Sequence, residues 1–211
     1  MSEAVSKTRN SGSQAAKNRA YIYDLVLISI SAALITVCSW ISIPLGPVPV
    51  TLQTMAILAV MLTCGGRRGT IAVTVYLLLG LCGIPVFAGF KGGAAALTGP
   101  TGGFLAGFVA SGLVYWLLEK LFFKRLMNTT VKTWVFGALN SLIFEVVLYV
   151  VGVIWFMTVY AVKTGPVGLA TVMGWCVWPF LIPDAVKLVA AVIIGERAGK
   201  LDRKSVCRER V

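Results

Sequence analysis

Two ionisable residues set three apart in an otherwise apolar stretch, Asp184 and Lys187, are the part of this sequence best suited to hold a polar ligand. They follow Trp178-Pro-Phe-Leu-Ile-Pro183. Pro179 and Pro183 cannot both occupy a helix interior, but Pro183 suits a first helical turn. A helix from 183 to 197 would be about 22 Å long at 1.5 Å per residue, too short to cross a membrane, so its start should be sunk below the surface. Residues three apart share a helical face. Asp184 complements the positive end of the helix dipole there, whereas Lys187 needs an anion to offset it. Two readings fit: an Asp–Lys pair that satisfies itself, or a recessed polar site in which one group accepts N–H donors and the other meets an anion. A charge placed inside an apolar segment is expensive and usually functional, which favours the second.

Weaker candidates surround this pair. Gln53 and Thr51 open an apolar segment and could hydrogen-bond a ligand or serve as caps. Glu145 and Asn140, five residues apart, do not align closely on one helical face. Glu145 could pair with Lys187, line the site or face a partner helix. Trp155, Trp175 and Trp178 suit either an interfacial belt or a binding wall. The chain has no histidine, which removes Ser-His and Cys-His catalytic pairs and most transition-metal sites. Its five cysteines include no Cys-x-x-Cys, and four lie in apolar segments, where cysteine behaves as a small hydrophobe. No cofactor is expected. No GxxxxGK[ST] loop occurs, so the chain is not expected to hydrolyse ATP itself or to act as an enzyme.

The elements that must position these residues are membrane helices. With 58% hydrophobic and only 13% charged residues, the chain cannot cover a soluble surface of its size. Expected spans are 24–43, 48–64, 70–87, 102–119, 133–161 and 180–197, with 165–178 as a further apolar piece. The fold class is therefore an all-α membrane protein, a six-transmembrane-helix bundle. Residues 1–23 and 198–211 read as basic cytoplasmic tails, the first disordered. The net charge of +11 is distributed as topology rather than as a nucleic-acid face. All of the 19 basic residues except Lys91, Lys163 and Lys187 fall in the two tails and two alternate connections. The positive-inside tendency then places both termini in the cytoplasm and makes the number of spans even.

The remaining connections face outward and are irregular. Pro44, Pro47 and Pro49 forbid a helix between the first two spans and favour extended chain. Pro85-Val-Phe-Ala-Gly-Phe-Lys-Gly-Gly93 and Gly99-Pro-Thr-Gly-Gly103 are apolar and glycine-rich. Non-helical backbone at membrane depth survives only if buried or lining a cavity, so these stretches read as a lid or wall over an outward-facing pocket. Phe87, Gly89, Lys91 and Gly92 are its candidate ligand positions. Ser29 and Ala33, and Ala32 and Thr36, place small residues four apart in the first span; Gly103, Gly107 and Ser111 do so in the fourth. Such spacing lets helices approach closely, within the chain for the fourth span and equally onto a separate subunit for the first.

Together these stretches resemble the BioY family, the biotin-specific S components of energy-coupling factor (ECF) transporters. The resemblance runs from residue 24 to 197. It is carried by Pro47-Val-Pro-Val-Thr-Leu-Gln-Thr54, Arg67-Arg68-Gly69, Tyr76 to Gly89, Gly99-Pro-Thr-Gly-Gly-Phe104, Gly152-Val-Ile-Trp155 and Pro179 to Lys187. The family usually has Pro-Gly before the aspartate, where this chain has Ile182-Pro183. The resemblance implies a six-helix S component in a bacterial inner (plasma) membrane, binding biotin from outside and reorienting in the bilayer with a T component and two ATPases. It implies ligand contacts at Asp184 and Lys187, and docking on the T component through Ser29 and Ala33. Asp184 would accept ureido N–H groups and Lys187 meet the valerate. The rival readings are an S component for another vitamin and a free-standing secondary transporter.

Overall fold

The computed structural model describes residues 2–44, 47–126, 130–165 and 167–208. Helices α1 (Ser2–Trp40), α2 (Gln53–Cys64), α3 (Gly66–Leu81), α5 (Gly102–Leu126), α6 (Thr130–Thr164) and α8 (Trp178–Arg208) form the bundle. Short pieces lie between them: strands β1 (Ser42–Ile43) and β2 (Val50–Thr51), and helices α4 (Ala94–Leu97) and α7 (Leu169–Cys176).

Each of the expected apolar segments contains a helix, but 24–43 and 48–64 also supply the two strands, so α1 ends at Trp40 and α2 starts only at Gln53. Among the described residues, four stretches are long and apolar enough to cross a membrane: Lys17–Trp40, Gly102–Phe122, Val135–Val162 and Leu169–Ala198. Helix α2 has 12 residues and α3 has 16, about 18 Å and 24 Å of rise, against a hydrocarbon core of about 30 Å. Helix α3 stops at Leu81, short of the expected residue 87, because Gly83 adopts φ +94° and Pro85 follows. Helix α1 continues back to Ser2 and α8 runs on to Arg208. The first of these corrects the expectation of a disordered leader: Ser2–Ala20 contains no proline to break the helix. The side chains of Lys124, Arg125, Lys132, Lys163 and of the residues after Ala198 lie outside the described set.

Helix α2 is the centre of the bundle. Ala56 to Met61 are all buried, which is the pattern of a helix apolar on every face and surrounded on every side. It packs along α8 and against α1 and α3, while α5 packs along α6 and against α3. The small-residue stripe on α5 faces α6: Gly103 seats the Trp155 side chain, and a Cβ at Gly107 would lie 3.0 Å from Leu148 Cδ1. That stripe therefore serves packing within the chain. The surface is apolar as well: Leu25, Ile30 and Val37 on α1, Leu139, Val146 and Ile154 on α6, and Val186 and Val189 on α8 are all exposed. So large an exposed apolar area belongs in lipid, and the chain is a multi-pass membrane protein.

The two ends are built differently. At one, the Glu119 carboxylate of α5 accepts the Gly66 N–H of α3 at 2.6 Å, satisfying a free donor of that helix start. Nearby, Arg68 of α3 holds Asp24 of α1 at 2.6 Å. At the other end the chain is irregular. Strand β1 pairs antiparallel with β2, Ser42 opposite Thr51 and Ile43 opposite Val50, so the proline-rich connection is the extended hairpin its prolines require. Val48 and Val50 of this hairpin pack with Phe156 of α6, Val172 and Cys176 of α7 and Phe180 of α8 in a second, smaller core.

Candidate functional site

Between the irregular end and the bundle lies a cavity of about 550 Å³. Its walls come from three irregular stretches (Pro47–Pro49, Phe87–Gly92 and Gly99–Thr101) and from α2, α5, α6 and α8. Asp184 and Lys187 are 5% and 6% exposed, and both face this space. Lys187 Nζ donates to Asp184 Oδ1 at 2.8 Å. The Tyr149 hydroxyl of α6 donates to the other oxygen, Oδ2. A buried carboxylate is tolerated only when paired and hydrogen-bonded, and this one is held on both oxygens.

Helix α8 delivers these groups differently from the expected start at Pro183. It begins at Trp178, where the Val177 carbonyl accepts from Phe180 N at 3.0 Å and Leu181 N at 3.2 Å. Pro179 therefore sits in the first turn, where its missing N–H costs nothing. Pro183 lies inside the helix, where it removes one bond, to the Pro179 carbonyl. Asp184 is consequently in the second turn rather than at the helix start, and its support comes from Lys187 and Tyr149 more than from the dipole.

Gln53, the first residue of α2, is 3% exposed and lines the cavity. Its Nε2 makes no close hydrogen bond among the described residues and lies beside the Tyr76 hydroxyl, so it can turn to a ligand. Opposite it stands the turn Phe87–Lys91, closed by Phe87 N donating to Lys91 O at 2.9 Å. Gly89 (φ +71°) and Phe90 (φ +56°) form its apex in the left-handed region, a natural position for the glycine and a strained one for the phenylalanine. The Trp40 ring stacks on Phe90 with centroids 5.0 Å apart, and its Nε1 donates to the Pro85 carbonyl at 2.9 Å. The Val86 carbonyl accepts from both Ser39 and Tyr76, fixing the base of the turn.

The residues singled out in the sequence therefore divide. Asp184, Lys187, Gln53, Phe87, Lys91 and Gly92 are brought together around the cavity. Lys91 is exposed and the others are wholly or partly buried, so Lys91 stands at the rim. Gly89 is at the exposed apex of its turn, outside the lining, whereas Phe87, Ala88 and Lys91 line the cavity. Trp155 is also outside the lining. It lies against Gly103, and its Nε1 donates to the Gly99 carbonyl at 3.1 Å, holding the 99–103 stretch against α6. Asn140 donates to the Tyr115 carbonyl at 3.1 Å, away from the cavity. Ser29 and Ala33 are exposed on α1, while Ala32 and Thr36 are buried.

Residues 8–204 match the BioY family. The chain belongs to the BioY family. Similar relatives include the biotin transporter BioY of Thermotoga maritima, 38% identical over 85% of this chain and 97% of that protein. The biotin transporter BioY2 of Lactococcus lactis subsp. cremoris is 37% identical over 82% of this chain and 88% of its own length. Among solved structures, the S-component for biotin from an ECF-type ABC transporter superposes with a TM-score of 0.73 at 29% identity, covering 87% of this chain and 94% of that one.

Within this BioY-family cavity, Tyr149, Phe180, Phe104 and Phe108 are residues that reading the sequence missed. Phe180 lies four residues before Asp184, so helical spacing alone could have placed it on the same face. Tyr149 follows Glu145 by four residues on α6, and that spacing was the available signal.

Proposed function

We propose that this chain is the biotin-binding S component of an ECF uptake system, with six membrane crossings and both termini in the cytoplasm. The short helices α2 and α3 would complete the six, each crossing with the help of the irregular chain at its outer end. The observation that carries the reading is the buried Tyr149–Asp184–Lys187 group in the wall of a cavity whose other lining is mainly aromatic and aliphatic. Its volume of about 550 Å³ falls within the range of roughly 300–1,000 Å³ usual for small-ligand sites.

Asp184 and Lys187 are already bonded to one another, so a single polar end of the ligand has to meet both. Biotin's ureido ring suits this, with N–H donors for the Asp184 carboxylate and a carbonyl to accept from Lys187. That reverses the initial expectation of valerate at Lys187. The apolar bicycle then lies against Phe87, Phe104 and Phe180, and the valerate points to the rim, where Lys91 supplies a cation. Gln53 Nε2 is a further donor along the wall. The chain works as a transporter subunit rather than an enzyme, in a bacterial inner membrane. Ser29 and Ala33 on the outer face of α1 meet the T component, which couples the chain to two ATPases.

The test is isothermal titration of the purified chain in detergent with biotin, thiamine and riboflavin. Tight binding of biotin alone is expected. Asp184→Asn and Lys187→Met should each weaken it by at least about tenfold, as loss of a hydrogen bond to a charged group implies. Unchanged affinity in both variants would refute the site.

A further inference from the structure

One buried acidic group has no task in that reading. Glu145 of α6 is 9% exposed, and its Oε1 has no hydrogen-bond partner among the described residues. Its place follows from the register of α6 against α8. Gly137 near the start of α6 and Gly195 on the inner half of α8 both lie against Leu62, while Tyr149 reaches Asp184 further along. The two helices are therefore antiparallel. Glu145 is one turn before Tyr149, and Lys187 is about one turn after Asp184, so Glu145 and Lys187 form the next rung inward. Glu145 interacts electrostatically with both Asp184 and Lys187. The ionisable groups facing it are thus Tyr149 from its own helix and Asp184 and Lys187 from α8.

The hydrogen bonding of this rung is incomplete on both sides. The Lys187 ammonium has three donors, and its one described bond goes to Asp184 Oδ1. Asp184 in turn is shared with Tyr149. A carboxylate buried in an apolar bundle without a partner is costly, and the cost is recovered in a state where a partner reaches it. Lysine has a flexible four-carbon stem that can swing between two acceptors one rung apart.

We propose that Glu145 is a positioning residue for the ligand site, the second acceptor of the Lys187 ammonium. As ligand N–H groups engage Asp184, Lys187 shifts toward Glu145, which keeps the cation compensated and aimed at the ligand carbonyl. The proposal rests on the biotin reading for its ligand, but the Glu145–Lys187 coupling stands by itself.

A double-mutant cycle of Glu145→Gln and Lys187→Met on the full chain tests it, with biotin affinity and ligand-free thermal midpoint both measured. Glu145→Gln keeps the shape and removes the charge. It should weaken biotin binding about tenfold and leave the midpoint unchanged or higher, since a carboxylate with one buried, unpartnered oxygen has gone. In the Lys187→Met background it should change affinity less than about twofold. It should also raise that variant's midpoint more than it raises the parent's, because Lys187→Met leaves two carboxylates without a cation. Should Lys187→Met fail to fold, Lys187→Gln replaces it. Equal loss of affinity in both backgrounds, no loss in either, or a midpoint that falls with affinity would overturn the proposal. If the parent binds no biotin, the functional reading fails, and additive midpoints in the ligand-free cycle then overturn this one.

Discussion

Two carboxylate–cation pairs of nearly equal length ought to differ several-fold in what they contribute, and Asp184→Asn against Asp24→Asn measures the difference. Lys187 Nζ lies 2.8 Å from Asp184 and Arg68 Nη2 lies 2.6 Å from Asp24. Their side chains are 7% and 8% exposed in the first pair but 39% and 36% in the second. An exposed pair is screened and loses side-chain entropy when it forms, so its net worth is below about 1 kcal/mol. Breaking a buried pair costs about 3–5 kcal/mol when the remaining charge is left uncompensated, an upper bound for Lys187 because Glu145 stands one rung away. The asparagine substitution is nearly isosteric, so packing changes little in either case. Chains of this length shift their midpoint by about 2–4 °C per kcal/mol. Asp184→Asn should therefore lower the ligand-free melting temperature in detergent by more than Asp24→Asn and by up to about 20 °C, and Asp24→Asn by no more than about 4 °C. Equal shifts, or a larger one for Asp24→Asn, would refute the argument that burial rather than distance sets the value of these pairs.

Two further substitutions probe the wall and the outer face. Trp40→Ala removes both the stack on Phe90 and the bond to Pro85, so the Phe87–Lys91 turn loses its clasp and biotin should dissociate several-fold faster in a stopped-flow chase. Ser29→Leu with Ala33→Leu adds bulk to an exposed strip of α1; biotin affinity of the isolated chain should stay the same, while co-purification with a T component is lost.

Four helices were legible in the sequence because lipid demands a long apolar run, and charge marks the connections. What the sequence did not show is pairwise. Tyr149 became a site residue through the register of α6 on α8, which no single segment encodes. The start of α8 was misplaced for a local reason. Proline reads in sequence as a boundary, yet Pro183 removes just one hydrogen bond from a helix already begun on the Val177 carbonyl. Gln53 was found because α2 starts there, and burial then turned an ordinary first-turn residue into a donor with no close hydrogen bond on the cavity wall.

The glycines show most clearly how a correct expectation acquires its mechanism. The glycine-rich stretches between the third and fourth spans read in the sequence as a lid or wall over a pocket. In the structure Gly92, Gly99 and Gly102 of these stretches lie against the carbonyls of Ile84, Ala95 and Leu97, while Gly103 and two helix glycines meet aromatic side chains of the same chain. Gly80 seats the Phe87 ring, Gly103 seats Trp155 and Gly152 seats Phe104, each with no room for a Cβ. Phe87 and Phe104 then turn another surface to the cavity, and Trp155 ties down the Gly99 carbonyl behind it. These three glycines therefore act at one remove from the ligand. They let bulky side chains sink into the helices so that flat apolar faces, rather than backbone, form the wall. Gly80→Ala carries this through to a measurement. Its methyl would collide with the Phe87 ring, so Phe87 must swing into the cavity. Biotin affinity should then fall although neither Asp184 nor Lys187 has moved, and Phe87→Leu in the same background should restore part of it. Unchanged binding in Gly80→Ala would show that Phe87 is not part of the wall.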